Sequence, residues 1–207
     1  MSNSDDFGIH YATEQLRRSR HPLRQIIKSF YLNNILRDVT GKTIDFGCGA
    51  GQLLARLPAG SVGLEANPHL VAALCTSGLN SQQYDDGDNF SFVDFPCGHY
   101  KTFVMAHVLE HFDDAGKILK KILNSCSRIG IERAIIVVPG AKGYESDQTH
   151  KTFVNWNYLK EHGLLNCEGY SARKVSYFPI NNESMGKYFI FHELKLTYDK
   201  ISDLHRS

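Results

Sequence analysis

The segment Ile44-Asp45-Phe46-Gly47-Cys48-Gly49-Ala50-Gly51 constrains the fold of this chain more than any other. A short apolar run leads into three glycines at alternate positions, and an apolar segment from Gln52 to Leu57, stopped by Pro58, follows. Glycine tolerates backbone conformations closed to other residues and leaves space against the main chain, so the pattern predicts a strand turning sharply into a short helix beside a ligand. From Lys42 onward, short apolar runs alternate with helical segments, the signature of a parallel sheet wound in both directions.

The expected strands are Thr43-Ile44-Asp45-Phe46, Val62-Gly63-Leu64-Glu65, a weakly apolar one near Ser81 to Asp85, Thr102 to Ala106, and Ala134-Ile135-Ile136-Val137-Val138, stopped by Pro139-Gly140. Between the second and third, Asn67 as N-cap, Pro68 in the first turn and Gly78 past the end bracket a helix. Upstream, Pro22 and the one-face spacing of Leu23, Ile26, Ile27 and Phe30 predict a helix to about Arg37. A helix with Ile118, Leu119, Ile122 and Leu123 on its core side precedes the fifth strand, and another is expected around Asn157 to His162. Residues 86–100 and 140–152 read as long polar connections, and the last fifty or so as strand, turn at 181–186, and strand. The fold class is therefore α/β: a doubly wound, mostly parallel sheet of about seven strands with helices on both faces and an antiparallel C-terminal hairpin.

The glycine spacing narrows the ligand. A dinucleotide turn, G-x-G-x-x-G, would place its third glycine at position 52, which is Gln, and no Lys-Ser/Thr follows to hold a triphosphate. Eighteen residues after Gly47, Glu65 ends the second strand, where a carboxylate can accept hydrogen bonds from both hydroxyls of a ribose. A ribose site without a phosphate site, with Asp45 adding negative charge nearby, fits a nucleoside carrying a cationic or zwitterionic tail. S-adenosylmethionine answers that description.

On these residues the chain resembles the class I S-adenosylmethionine-dependent methyltransferases, in particular the small Rossmann-like branch with acidic-x-Gly-x-Gly-x-Gly after strand one. The resemblance covers about residues 40 to 165 and extends to Val62-Gly63-Leu64-Glu65-Ala66-Asn67-Pro68, His107-Val108-Leu109-Glu110-His111-Phe112 and Pro139-Gly140. It implies that Asp45, Gly47, Cys48, Gly49 and Gly51 border the methionine part of the cofactor and that Glu65 holds the ribose. It further implies that Asp85 borders adenine, with Asp86 and Asp88 as competitors, and that Ala106 or His107 supplies a backbone contact to the methionine amino group. Lys101 departs from the family's frequent acidic residue ahead of strand four. The expected organisation is one methyltransferase domain over 1–207: a helical N-terminal lid region over 1–40, a cofactor-binding core over 41–165, and a C-terminal hairpin and acceptor region over 166–207. Tyr11 is a candidate to close over the cofactor.

For an acceptor that must lose a proton, an imidazole is suited to neutral pH. His150, in the polar segment Asp147-Gln148-Thr149-His150 after strand five, is the first candidate and His107 the second. His107 to His111 also spells H-x-x-E-H, the inverted zinc-peptidase motif, but that chemistry needs the motif inside a helix and here it directly follows a strand. Glu110 and His111 are accordingly expected to form an ordered turn. Asp85-Asp86-Gly87-Asp88 lacks the ligand pattern of a calcium loop, and no metal is expected.

Charge bears on the acceptor. The chain has 207 residues, 23 basic and 22 acidic, for a net charge of +1, which provides no field to collect a polyanion. The cluster Arg17, Arg18, Arg20, Arg24 and Lys28 reads as a solvated helix face, so a small-molecule acceptor is expected rather than a nucleic acid. A methyltransferase for RNA or protein, and a domain that binds the nucleoside without transferring anything, remain the alternatives. No membrane span or secretory signal is expected, and five scattered cysteines without a C-x-x-C pair fit reduced thiols in the cytoplasm. The oligomeric state has no sequence signal.

Overall fold

The computed structural model describes residues 8–19, 22–84 and 89–201, with the side chains of 18–27 outside the description. Its contacts divide the chain into two compact units, Met1–Asp85 and Asp86–Ser207.

The first unit begins with helices α1 (Ile9–Ser19) and α2 (Pro22–Leu36) and continues through β1 (Thr43–Phe46), β2 (Val62–Glu65), α3 (Pro68–Thr76) and β3 (Ser81–Gln83). The three strands run parallel in the order β3-β2-β1, with Phe46 opposite Leu64 and Glu65 opposite Gln83. All four residues of β1 are buried, including Asp45, as expected of a strand covered on both faces. The Asn67 side chain caps α3 by accepting from the N–H groups of His69 and Leu70, and Gly78 ends it at φ 82°.

Two elements depart from expectation. Gln52–Leu57 forms only a 3-10 turn over Leu54–Arg56. One α-type bond, Ala55 N–H to the Gly51 carbonyl, gives way at once to i→i+3 bonds from Arg56 and Leu57, because Pro58 leaves no room to propagate a helix. The third strand stops at Gln83, although the Tyr84 N–H still donates to the Glu65 carbonyl at 3.0 Å. Asp85, Asp86 and Asp88 lie outside the described residues.

The second unit contains β4 (Thr102–Ala106), α4 (Ala115–Arg128), β5 (Arg133–Pro139), α5 (Ala141–Glu145), α6 (Trp156–Glu161), β6 (Asn166–Cys167), β7 (Tyr170–Phe178) and β8 (Glu193–Lys200). Strand β4 pairs parallel with β5, while β8 lies antiparallel on the other side of β5 and carries β7 and β6 in turn. The buried stripe Ile118, Leu119, Ile122 and Leu123 seats α4, whose N-terminus is capped by Asp114. The segment from Gly140 to Thr152 is not all loop, since its first part folds into α5. With the two-residue β6 the described strands number eight, which keeps the expected class: mostly parallel with an antiparallel C-terminal hairpin. All five cysteines are free thiols, and no described helix is long and apolar enough to cross a membrane.

Candidate functional site

In the first unit the glycine turn is built for a close ligand. Gly47, Gly49 and Gly51 all have positive φ, at 72°, 54° and 71°, a region that costs other residues about 1–2 kcal/mol. The Gly47 and Cys48 N–H groups donate to the Leu64 carbonyl, which pins the turn to β2. A Cβ on Gly51 would sit 2.5 Å from Leu74 Cδ2, whereas one on Gly49 would meet nothing within 4 Å. Gly51 thus serves packing against α3, and Gly49 faces open space.

Glu65 ends β2 half-buried, its Oε2 accepting from the Gly49 N–H at 2.8 Å and its Oε1 from the Asn67 N–H at 3.0 Å. Each oxygen keeps a second lone pair for a hydroxyl. Asp45 is 3% exposed, and its Oδ2 finds no hydrogen-bond partner among the described residues. Burial pushes its carboxyl up to about 7; Lys28 opposes the rise, Glu65 adds to it, and a backbone hydrogen bond from Leu54 lowers it. Cys48 is a buried thiol whose pKa burial drives well above the usual range, so it lines the turn as an apolar group. A buried carboxylate with one oxygen left unpaired, an uncovered glycine and an acid at the next strand end fit a nucleoside with an ammonium-bearing tail.

In the second unit the ends of β4 and β5 bring together residues distant in sequence. His107 takes φ 58° directly after β4, its N–H donating to the Val137 carbonyl of β5. Its ring lies between two acids, with Nε2 at 3.0 Å from Glu193 Oε1 and Nδ1 at 3.4 Å from Glu110 Oε1. Burial works against a charge there, but the carboxylates of Glu193 and Glu110 outweigh it and raise the His107 pKa to about 10.

Glu110 lies in a 3-10 turn over Leu109–His111, the ordered turn expected there. Its side chain is 1% exposed. Both carboxylate oxygens are buried without a hydrogen-bond partner among the described residues. Its backbone carbonyl, by contrast, accepts from Lys151 at 2.8 Å and Thr152 at 3.1 Å. That clamp carries His150 to the same place, with Nε2 at 3.8 Å from Glu110 Oε1 and its ring stacked on Tyr144 and edge-on to His111.

Of the expected residues in the second unit, His107 and His150 are thus gathered around Glu110, and Ala106 is the half-buried end of β4. Sequence reasoning missed Glu193, which begins β8 and reaches His107 only because β8 pairs with β5. It also treated Glu110 and His111 separately from His150; the signal was an H-x-x-E-H turn followed, after the next strand, by another histidine. In the first unit, Tyr11 is 41% exposed and hydrogen-bonded by Gln15. Arg17 is paired with Glu14 at 2.8 Å, and the side chains of Arg18, Arg20 and Arg24 lie outside the described residues.

Comparison with known proteins gives one family: a model described as a methyltransferase domain matches residues 10–179. No curated protein matches the chain by sequence. Among solved structures, an S-adenosylmethionine-dependent methyltransferase from Archaeoglobus fulgidus matches at a TM-score of 0.64 and 16% identity, covering 93% of this chain and 100% of that one. Magnesium protoporphyrin IX methyltransferase from Synechocystis PCC 6803, solved with bound SAH, matches at 0.61 and 13%, covering 95% and 97%. A chain from the complex of the Haloferax volcanii Trm112 methyltransferase activator with a methyltransferase matches at 0.62 and 14%, covering 98% and 100%. At these identities the structures share the fold.

Proposed function

Since the chain belongs to the methyltransferase-domain family and is an S-adenosylmethionine-dependent methyltransferase, we propose that it transfers the methyl group in line to a small-molecule acceptor. The cofactor, when bound, supplies an electrophilic methyl on a sulfonium whose C–S electron pair leaves with sulfur as the new bond to the acceptor forms. The observation that carries the site assignment is the buried Asp45 Oδ2, without a hydrogen-bond partner among the described residues, on the strand that leads into the uncovered Gly49 held by Glu65.

On this reading Asp45 pairs with the methionine ammonium, and the turn at Gly47, Cys48, Gly49 and Gly51 lies along the methionine tail. Glu65 accepts from the ribose hydroxyls while holding the turn through the Gly49 N–H. Asp85 is retained as the adenine neighbour, and Ala106 and His107 as the backbone contact at the end of β4. The family match spans 10–179, across the boundary between the two compact units, which supports treating those residues as one domain; the reading extends that domain over 1–207.

His150 is the residue assigned to the acceptor. A carbonyl can only accept, so Nδ1 at 2.8 Å from the Tyr144 oxygen carries the hydrogen and Nε2 presents a lone pair. His107, held as an imidazolium between Glu193 and Glu110, has no lone pair to offer at neutral pH and orients those acids instead. The near-neutral chain and the pairing of Arg17 with Glu14 favour a small acceptor over a polyanion.

The test is calorimetry with S-adenosylhomocysteine, paired with labelled S-adenosylmethionine and a metabolite extract. Binding lost in Glu65→Ala and label recovered in a small molecule are expected. Stabilisation by NAD instead of S-adenosylhomocysteine, or label recovered only in RNA or protein, would overturn the reading.

A further inference from the structure

We propose that Glu110, His111 and His150 form a binding site for a divalent transition-metal cation, which takes an oxygen of the methyl acceptor in its open positions. One carboxylate oxygen and one ring nitrogen from each histidine lie within 4.8 Å of one another. Tetrahedral ligands bound at about 2.1 Å stand about 3.4 Å apart, so closing on an ion needs a contraction of up to roughly 1.4 Å, shared among three side chains by rotamer adjustment.

Two observations point to a ligand there. First, both Glu110 carboxylate oxygens are buried and lack hydrogen bonds among the described residues, a costly arrangement for an ionised group. His107 stands in ion-pair range of Oε1 at 3.4 Å and His150 lies 3.8 Å from it, so the carboxylate is partly offset in charge while neither oxygen accepts a hydrogen bond among the described residues.

Second, both histidines are locked in the tautomer a metal requires. The His150 Nδ1 donates to the Tyr144 carbonyl. The Thr149 hydroxyl gives its hydrogen to Asp147 Oδ1 at 2.7 Å, so at 3.1 Å from His111 Nδ1 it can only accept, as can the Thr149 carbonyl at 3.4 Å. The Nδ1 hydrogens are therefore committed to partners behind the rings and both Nε2 lone pairs are left for coordination, the outer-shell arrangement typical of metal-ligating histidine.

The donor set selects the ion. Two imidazoles and one carboxylate suit Zn2+, Mn2+, Fe2+ or Co2+ better than Mg2+ or Ca2+, which prefer oxygen alone. Three protein ligands leave positions open, the mark of a catalytic rather than a structural site. A hydroxyl bound there loses its proton to solvent water at a lower pH, and the resulting oxyanion forms the new C–O bond as the C–S bond breaks. The inverted peptidase motif thus supplies Glu110 and His111, while its first histidine, His107, pairs with acids and His150 takes the vacant role.

The catalytic part of this inference rests on the methyl-transfer reading; the binding part does not. The test is titration of the chelator-stripped full chain with Co2+, followed by visible absorption, alongside calorimetry of S-adenosylhomocysteine on each variant. One equivalent is expected to bind with the spectrum of a nitrogen and oxygen site lacking thiolate charge transfer. His111→Ala and His150→Ala should weaken it at least 100-fold while changing S-adenosylhomocysteine affinity by less than about threefold. Glu110→Gln should do the same, and the half-buried His111 keeps the test valid if that variant fails to fold. No stoichiometric binding, or binding unchanged in His150→Ala, would overturn the site. Intact metal binding without S-adenosylhomocysteine binding would sink the methyltransferase reading and leave the site standing. An oxygen acceptor methylated equally fast by stripped and loaded protein would overturn the catalytic part.

Discussion

His150 Nε2 is held 3.8 Å from Glu110 Oε1 by main-chain hydrogen bonds. The Glu110 carbonyl accepts the N–H groups of Lys151 and Thr152, and the Thr152 hydroxyl donates to the Phe112 carbonyl at 2.7 Å. The turn after β4 and the segment after α5 are thereby fastened together, so the approach of the two segments does not depend on either side chain.

Replacing His150 by Ala should therefore remove chemistry and spare architecture. Turnover should fall by about 100-fold or more, the scale expected when the group that readies the acceptor for proton loss is removed, whether it acts directly or through a bound cation, with the S-adenosylhomocysteine Kd unchanged within about threefold. Single-turnover kinetics with labelled cofactor, alongside calorimetry, separates the two quantities. Loss of both together would mean a structural role.

Glu65→Ala should act on two quantities at once. Hydrogen bonds to a charged acceptor contribute about 1.5–3 kcal/mol, so losing the ribose contacts should raise the cofactor Kd by at least about tenfold. Because Glu65 also holds the Gly49 and Asn67 N–H groups, the melting temperature should drop by several degrees even without ligand. Calorimetry showing unchanged affinity would remove Glu65 from the ribose site.

Asp45 gives the cofactor affinity a pH dependence. Its carboxyl, ordinarily near 3.8, is raised to about 7, so between those values the folded state binds a proton that the unfolded state has released. Its contribution to stability is full below the ordinary value and is lost as pH rises through about 7. A bound ammonium reverses the preference, since it favours the ionised form. Affinity should therefore fall as pH drops below 7, with proton release on binding near pH 6, detected by calorimetry in buffers of different ionisation enthalpy. Asp45→Asn should bind weakly at every pH and release no proton through this group.

The glycines should divide by role. Gly51→Ala places a methyl 2.5 Å from Leu74 Cδ2 at φ 71°, so strain and overpacking together should cost about 2–4 kcal/mol and lower the melting temperature. Gly49→Ala, which meets nothing in the protein, should cost only about 1–2 kcal/mol of backbone strain while weakening cofactor binding more than Gly51→Ala does. Thermal melts with and without S-adenosylhomocysteine rank the two variants on both scales.

Much of the first unit is legible in sequence because its determinants are local. Strands β1 and β2 and helix α3 stand where Ile44, Val62 and the cap Asn67 place them, since apolar runs and caps act within a few residues. The short segment after Gly51 misled, because helical spacing alone does not register how little chain Pro58 leaves for propagation. The segment after β5 misled in the opposite sense: its polar composition hid α5, which starts at Ala141 directly after the Pro139-Gly140 stop.

Sequence alone determined that this chain builds a strand, a glycine turn and a second strand ending in an acid, because spacing along the chain sets where those groups fall. Tertiary structure alone decided the partners. Pairing of β8 with β5 puts Glu193 against His107 and raises that histidine's pKa, and the Lys151 and Thr152 hydrogen bonds carry His150 to Glu110. Neither relation leaves a periodic mark in the sequence, since strand register and loop closure depend on contacts between segments far apart in the chain.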